Sequence, residues 1–187
     1  FARLYVSMRN YPKAELYADS CLSLYNQLID YNTVSKTSST PFSKANNESI
    51  FWAMASIGYN NAEYDAISNL NIDTNLLASY SVNDLRRSVF FIADGGLIKA
   101  RKGYSGYYQA FVGLATDEIY LIKAECAARR QDVQTALSYL NTLLVKRYVT
   151  NSYSPYTTAS ASDILAVILK ERRKELVWRE GLRWDDL

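Results

Sequence analysis

The 187-residue chain contains no histidine. Imidazole metal ligation is therefore excluded within it, as are the Ser-His-Asp and Cys-His arrangements of nucleophilic catalysis. It has only two cysteines, Cys21 and Cys126, far apart and each within a helical, apolar-patterned segment. They read as buried free thiols, with a disulfide left for geometry to decide, and they offer no metal-ligand spacing. The seven glycines form neither a phosphate-cradling loop nor a dinucleotide-binding fingerprint. No window approaches the roughly 18 to 20 unbroken apolar residues of a membrane helix, and no signal peptide is visible. A net charge of +2 with no basic block argues against nucleic acid as a partner. Neither cofactor nor metal is expected. The one catalytic option the composition leaves is a carboxylate pair. Asp65, Asp73, Asp84 and Asp94 lie in loop-rich sequence with no spacing that singles out two of them, so they read as turn and cap residues.

Nearly half the chain is apolar, enough for a sizeable core in one domain or a large piece of one. Two helix pairs stand out. In the first, Ala2, Leu4, Tyr5, Val6 and Met8 form one helix, Asn10-Tyr11-Pro12 breaks it, and Ala14 to Ile29 forms the next. Proline is tolerated in a first turn because its missing amide has no helical partner there. In the second, Thr116 with Asp117 and Glu118 opens a helix favoured by acids near its positive end. That helix continues from Ile119 to Arg130, Gln131-Asp132 breaks it, and Val133 to Arg147 follows. Sliding one pair over the other matches Ala2 with Ala124, Asn10 with Asp132, Ala14 with Ala136 and Tyr17 with Tyr139. Small residues where two helices cross, with a polar turn between them, follow tetratricopeptide logic. The expected fold is mainly α: tetratricopeptide-like pairs in an α-α superhelix, with long loops and a small β-hairpin insert. Residues 1–30 form the first pair, 32–112 a loop-rich insert, and 113–187 the C-terminal helices.

Within the insert, SVFFIA and LIKAR flank Asp94-Gly95-Gly96, which predicts a hairpin. ESIFWAMASI is either an extended segment or a short helix. Tyrosine is in excess, at 16 residues, and several fall in irregular segments where binding residues concentrate. Trp52, Tyr59, Tyr64, Tyr104, Tyr107 and Tyr108, with Asn60, Asn61 and Asn69 nearby, suit a carbohydrate ligand. Aromatic faces pack against sugar C–H faces while side-chain amides take the hydroxyls. The competing reading is that these rings anchor loops onto the helices.

The tail, ERRKELVWREGLRWDDL, places charge inside an apolar stripe. On a helix opening near Ser162, Ile164, Ile168, Glu171, Glu175 and Trp178 share one side, with Leu165, Leu169, Arg172, Leu176 and Arg179 beside them. Buried charges need partners, which predicts a packed inter-helix seam of guanidinium–carboxylate pairs. Gly181 ends that helix, Arg183 and Trp184 pack back onto it, and Asp186 pairs with an arginine.

These residues resemble a known family. Glu171-Arg172, Glu175-Leu176, Gly181, Arg183-Trp184 and Asp186-Leu187 are similar to the ER..EL…G.RW.DL signature of SusD/RagB proteins, although Arg179-Glu180 lengthens the spacing before Gly181. EIYLIKAECAARR…ALSYLNTLLVKR, YPKAELYADSCLSLYN, ESIFW and the Asp84…Arg86 element resemble further family segments in the same order. The resemblance implies a non-enzymatic, lipid-anchored protein exposed on the bacterial outer membrane. Such a protein binds oligosaccharide or polysaccharide or, in some relatives, peptide, and delivers it to a SusC-like TonB-dependent transporter, with the membrane contacted only through the lipid. The chain opens on FARLYVSMRN without methionine and, against that family, reads as a fragment lacking the N-terminal part. The family's ligand residues share no motif, so the aromatic candidates rest on chemistry alone. A tetratricopeptide-like protein-interaction module without glycan affinity is the first alternative, and a hydrolase using loop carboxylates the second.

Overall fold

The computed structural model of the chain describes residues 1–55, 71–101, 103–107, 109–157, 160–179 and 182. Its first helix pair is α1 (Ala2–Ser7) and α2 (Tyr11–Leu24). The loop-rich middle carries a 3-10 turn (Tyr31–Thr33), β1 (Ser49–Phe51), α3 (Thr74–Ala78), α4 (Arg86–Phe90), β2 (Phe91–Asp94), β3 (Leu97–Ala100) and β4 (Leu114–Ala115). The chain then forms α5 (Thr116–Arg129), α6 (Val133–Leu144) and α7 (Ala161–Glu175).

The two helix pairs share a turn as well as a sequence pattern. In the first, Arg9 N donates to Val6 O and Asn10 N to Tyr5 O; in the second, Gln131 N donates to Ala128 O and Asp132 N to Ala127 O. Arg9 (φ +55°) and Gln131 (φ +69°) each take the left-handed conformation that this helix ending requires. The next residue then caps the following helix, Asn10 accepting from Lys13 N at 3.3 Å and Asp132 from Thr135 N at 3.0 Å. Ala2, Ala14, Ala124 and Ala136 are buried, so the paired helices meet at small side chains.

Helix α5 is the axis of the molecule. It packs against α1, α2, α6 and α7, and each residue from Thr116 to Ala128 is buried. Its charges are therefore matched by the helices around it. Glu118 accepts from Arg3, Lys123 meets Glu15 at 2.7 Å and Asp19 at 2.7 Å, and Glu125 meets Arg129 at 2.8 Å. An amphipathic pattern is weak in such a helix because no face of it is left to water.

Several boundaries differ from those expected. Helix α2 stops at Leu24 rather than Ile29: Tyr25 turns to extended backbone (φ −152°, ψ 119°). Ile29 thereby reaches a buried carboxylate with its amide and a buried guanidinium with its carbonyl. Helix α5 does open at Thr116 as expected, with Ala115 at the cap position and the Thr116 hydroxyl donating to Gln27 O. Helix α6 closes at Leu144 and the chain bends on to Arg147. Ser160, not Ser162, caps α7. That helix ends at Glu175 rather than near Gly181, and Trp178 turns with φ +62° so that Arg179 reaches Asp117.

The predicted hairpin is present, Phe91 to Asp94 pairing antiparallel with Leu97 to Ala100. Gly95 and Gly96 have φ +57° and +80°, the left-handed pair that a two-residue connection requires. ESIFW is extended: Ser49 pairs with Ala115 and Phe51 with Leu114 across an irregular register. Bonds from Val112 N to Ala53 O (3.1 Å) and Ala55 N to Ala110 O (3.0 Å) continue the ribbon. The apolar interior comes in two parts, an aliphatic one among the helices and an aromatic one under the hairpin and loops. Cys21 is half-buried, Cys126 is buried, and both are free thiols.

Candidate aromatic binding site

Trp52 continues the β1 strand, and its ring is fixed from the opposite loop. The indole Nε1 donates to Ser105 O at 3.3 Å. Ser105 is itself fully buried, and its hydroxyl accepts from Tyr107 N at 3.1 Å, which closes a tight turn. That turn brings the Tyr107 ring to 6.3 Å from Trp52, tilted by 66°, while Tyr107 stays 45% exposed. Two aromatic rings thus meet as an open corner on a braced backbone.

The turn is locked from below. Gly106 has φ +76°, and a Cβ there would lie 2.9 Å from Lys44 N and 3.1 Å from Phe42 O. The backbones of the two segments touch, which only glycine permits. Asn46 spans the same gap, donating to Tyr104 O at 3.4 Å. Above this junction the Lys44 ammonium sits 4.5 Å from the Trp52 ring centre, within cation–π range.

Tyr104 lies on the other side of the turn. It is buried, packed on Phe42 and Phe111 at 4.8 and 5.4 Å, with the Arg179 guanidinium 3.9 Å from its ring centre. It is floor rather than face. Of the aromatic candidates, the structure brings Trp52 and Tyr107 together and places Tyr104 beneath them. Tyr59, Asn60, Asn61, Tyr64, Asn69 and Tyr108 lie outside the described residues. Lys44, Ser105 and Gly106 were not apparent as site residues. Lys44 is one of two lysines in the polar run 32–47, and nothing local ties it to a tryptophan eight residues on.

A buried ionic cluster holds this corner to the helices. Arg86 donates to Asp84 through Nε (2.8 Å) and Nη2 (2.7 Å), to Glu171 at 2.6 Å and to Glu175 at 3.1 Å. Arg147 bridges Glu175 at 2.6 Å, Glu48 at 2.7 Å and Ile29 O at 2.7 Å. Lys174 meets Asp84 at 2.8 Å and Glu171 at 2.9 Å. All of these side chains are nearly or wholly shielded from solvent. Glu48 immediately precedes β1, so the cluster anchors the strand that carries Trp52. Arg172 is also buried. Gly181, Arg183, Trp184 and Asp186 lie outside the described residues.

Burial sets the direction of each ionisation and the partners modify it. Burial pushes the Glu48 carboxyl up to about 8, with Asp117 and Glu175 adding to the shift and Arg147 opposing it. Burial acts the same way on Asp84, but Arg86 and Lys174 outweigh it and hold Asp84 below the ordinary carboxylate range. Burial disfavours the charged forms of Arg86 and Arg147, yet the surrounding carboxylates raise both well above the usual arginine value. The cluster is a structural clamp.

The described loop carboxylates are engaged in similar ways. Asp73 caps α3 and meets Arg173 at 3.2 Å, Asp84 belongs to the cluster, and Asp94 pairs with Lys99 at 2.7 Å. Asp65 lies outside the described residues. Among those residues no His/Cys/Asp/Glu group is arranged to hold a metal ion, and no helix is long and apolar enough to cross a membrane.

Comparison with known proteins places this architecture. Residues 100–187 match the model of the SusD family. A SusD-like carbohydrate binding protein from Bacteroides vulgatus ATCC 8482 is 25% identical, with a TM-score of 0.74 over 99% of this chain and 42% of its own. A SusD superfamily protein from Bacteroides thetaiotaomicron VPI-5482 is 19% identical, with a TM-score of 0.74 over 99% of this chain and 46% of its own. A SusD-like protein from Bacteroides fragilis NCTC 9343 is 15% identical, with a TM-score of 0.70 over 99% and 52%. The chain thus spans about half the length of these structures. No curated protein matches it.

Proposed function

We propose that the chain, whose residues 100–187 match the SusD family model and whose fold is that of SusD-like structures, belongs to the SusD/RagB family and forms part of a cell-surface protein that captures oligosaccharides. In this reading the protein is tethered to the outer membrane by lipid and passes its ligand, without chemical change, to a SusC-like TonB-dependent transporter. The observation that carries the reading is the open corner formed by Trp52 and Tyr107, whose rings are held by Ser105 on a backbone that Gly106 locks. A rigid aromatic corner is what a sugar ring requires. Its C–H face packs on the ring, and little ordering cost is left to be met on binding. The likeness to a SusD-like carbohydrate binding protein points the same way.

The test is calorimetric titration of a panel of polysaccharides into the protein and its Trp52→Ala and Tyr107→Ala variants. Tyr107→Ala is expected to weaken binding by about tenfold or more, the range of a stacking contact. No heat with any polysaccharide, or wild-type affinity in both variants, refutes capture at this corner. Co-purification with a SusC-like transporter tests delivery separately.

A further inference from the structure

We infer that the corner selects an acidic saccharide, one carrying a carboxylate or sulfate, a conclusion that rests on the capture reading above. The argument starts from charge. Segment 42–54 contains two ionisable residues, Lys44 and Glu48, and segment 103–112 contains no Asp, Glu, Lys or Arg. Glu48 is fully buried and engaged by Arg147 and the Ile29 amide. Lys44 is therefore the one exposed charge on the two segments that build the corner.

Its placement is specific. The ammonium sits 4.5 Å from the Trp52 ring centre, and no carboxylate among the described residues lies within ion-pairing distance of it. Lys99, Lys123, Lys146 and Lys174, by contrast, each face an Asp or Glu. The indole holds Lys44 by its quadrupole without neutralising it, so the full positive charge remains available to a ligand. Nor is Lys44 free to drift from Tyr107, because its own backbone nitrogen abuts the Gly106 turn. The cation occupies one face of Trp52, which makes Tyr107, 45% exposed, the ring on which a sugar stacks. Trp52 lies 6.3 Å from that ring and 4.5 Å from the ammonium, so a saccharide stacked on Tyr107 has the cation within a disaccharide's length. A neutral sugar would leave this charge without a partner; an anionic one supplies it.

Three ligands separate the outcomes: polygalacturonate, a sulfated galactan and a neutral galactan. Each is titrated into wild type, Lys44→Gln, Lys44→Arg and Tyr107→Ala at low and high salt. The acidic polymers are expected to bind about fivefold tighter than the neutral one, the scale of an exposed ion pair. Salt and Lys44→Gln should each erase the preference, and Lys44→Arg should keep it. Preference for only one of the two acidic polymers identifies the anion. If the neutral galactan binds as well, is weakened by Tyr107→Ala and is unaffected at Lys44, capture stands and acidic selectivity is overturned. Binding of no polymer overturns both.

Discussion

Arg86 grips Asp84, two residues earlier in the chain, through parallel bonds from Nε and Nη2 to the two carboxylate oxygens, at 2.8 and 2.7 Å. The same guanidinium reaches Glu171 and Glu175 on α7, joining the loop region to the last helix inside a space closed to solvent. Removing it would leave three buried carboxylates to share Lys174 and Arg147. Arg86→Met is expected to cost on the order of 3–5 kcal/mol, measured by urea denaturation. The Asp84→Asn/Arg86→Met double variant should recover part of that loss, since fewer charges remain uncompensated. A single-variant loss below about 1 kcal/mol would show that the cluster is not a clamp.

Glu48 gives the protein a pH dependence of defined sign. Its carboxyl is raised to about 8 in the folded chain, from an ordinary 4.5. The folded state therefore holds a proton that the unfolded state releases between those values. The stabilising contribution is complete below about 4.5 and is lost as pH rises toward 8, at a slope of up to about 1.4 kcal/mol per unit. Asp84, held low, acts in the opposite sense and only in acid. Denaturant midpoints from pH 5 to pH 8 should fall in wild type and flatten in Glu48→Gln. Parallel slopes in the two proteins would contradict the assignment.

The caps of the two repeats should behave alike. Asn10 and Asp132 accept from the amide three residues on, after the same left-handed turn. Each change to alanine is expected to lower the melting temperature by roughly 2–4 °C for a chain of this size. Asp132→Ala should be the costlier, because Asp132 also accepts from the Thr135 hydroxyl at 2.8 Å and pairs with Arg130 at 2.8 Å. An unaltered melting temperature in both would remove the caps from the account of the repeat.

What could be read in the sequence follows the range of the forces involved. The caps at Asn10 and Asp132, the buried alanines and the Gly95-Gly96 hairpin all depend on neighbours within a few positions, so their signals are local. Arg86 and Arg147 converge on Glu175 from 89 and 28 residues away, and no local pattern marks such a meeting. The early ends of α2 and α7 have the same origin. Long-range bonds at Ile29 and Arg179 outweigh the helical preference of the segments that precede them. At the candidate site the aromatic types were legible in Trp52 and Tyr107. Their pairing required the ribbon between residues 48–55 and 110–116, and Lys44 required the backbone contact at Gly106.

Gly113 ties that ribbon to the site and provides the most direct test of the link. A Cβ at this position would lie 2.0 Å from Phe51 O and 2.7 Å from the Phe111 ring. Neither neighbour yields cheaply: one is backbone in β1, and the other belongs to the buried aromatic core. Gly113→Ala must therefore push β1 away from β4 and carry Trp52 with it. The expected cost is about 1–3 kcal/mol, with loss of the near-ultraviolet dichroism of the Trp52–Tyr107 pair and of saccharide affinity. Gly95→Ala is the matched control. It meets nothing within 4 Å and suffers only from its φ of +57°, at about 1–2 kcal/mol. It lies in the hairpin turn, away from the ribbon, so its dichroism and affinity should match wild type despite the lost stability. Equal effects of the two substitutions on ligand binding would mean that the ribbon does not position the corner.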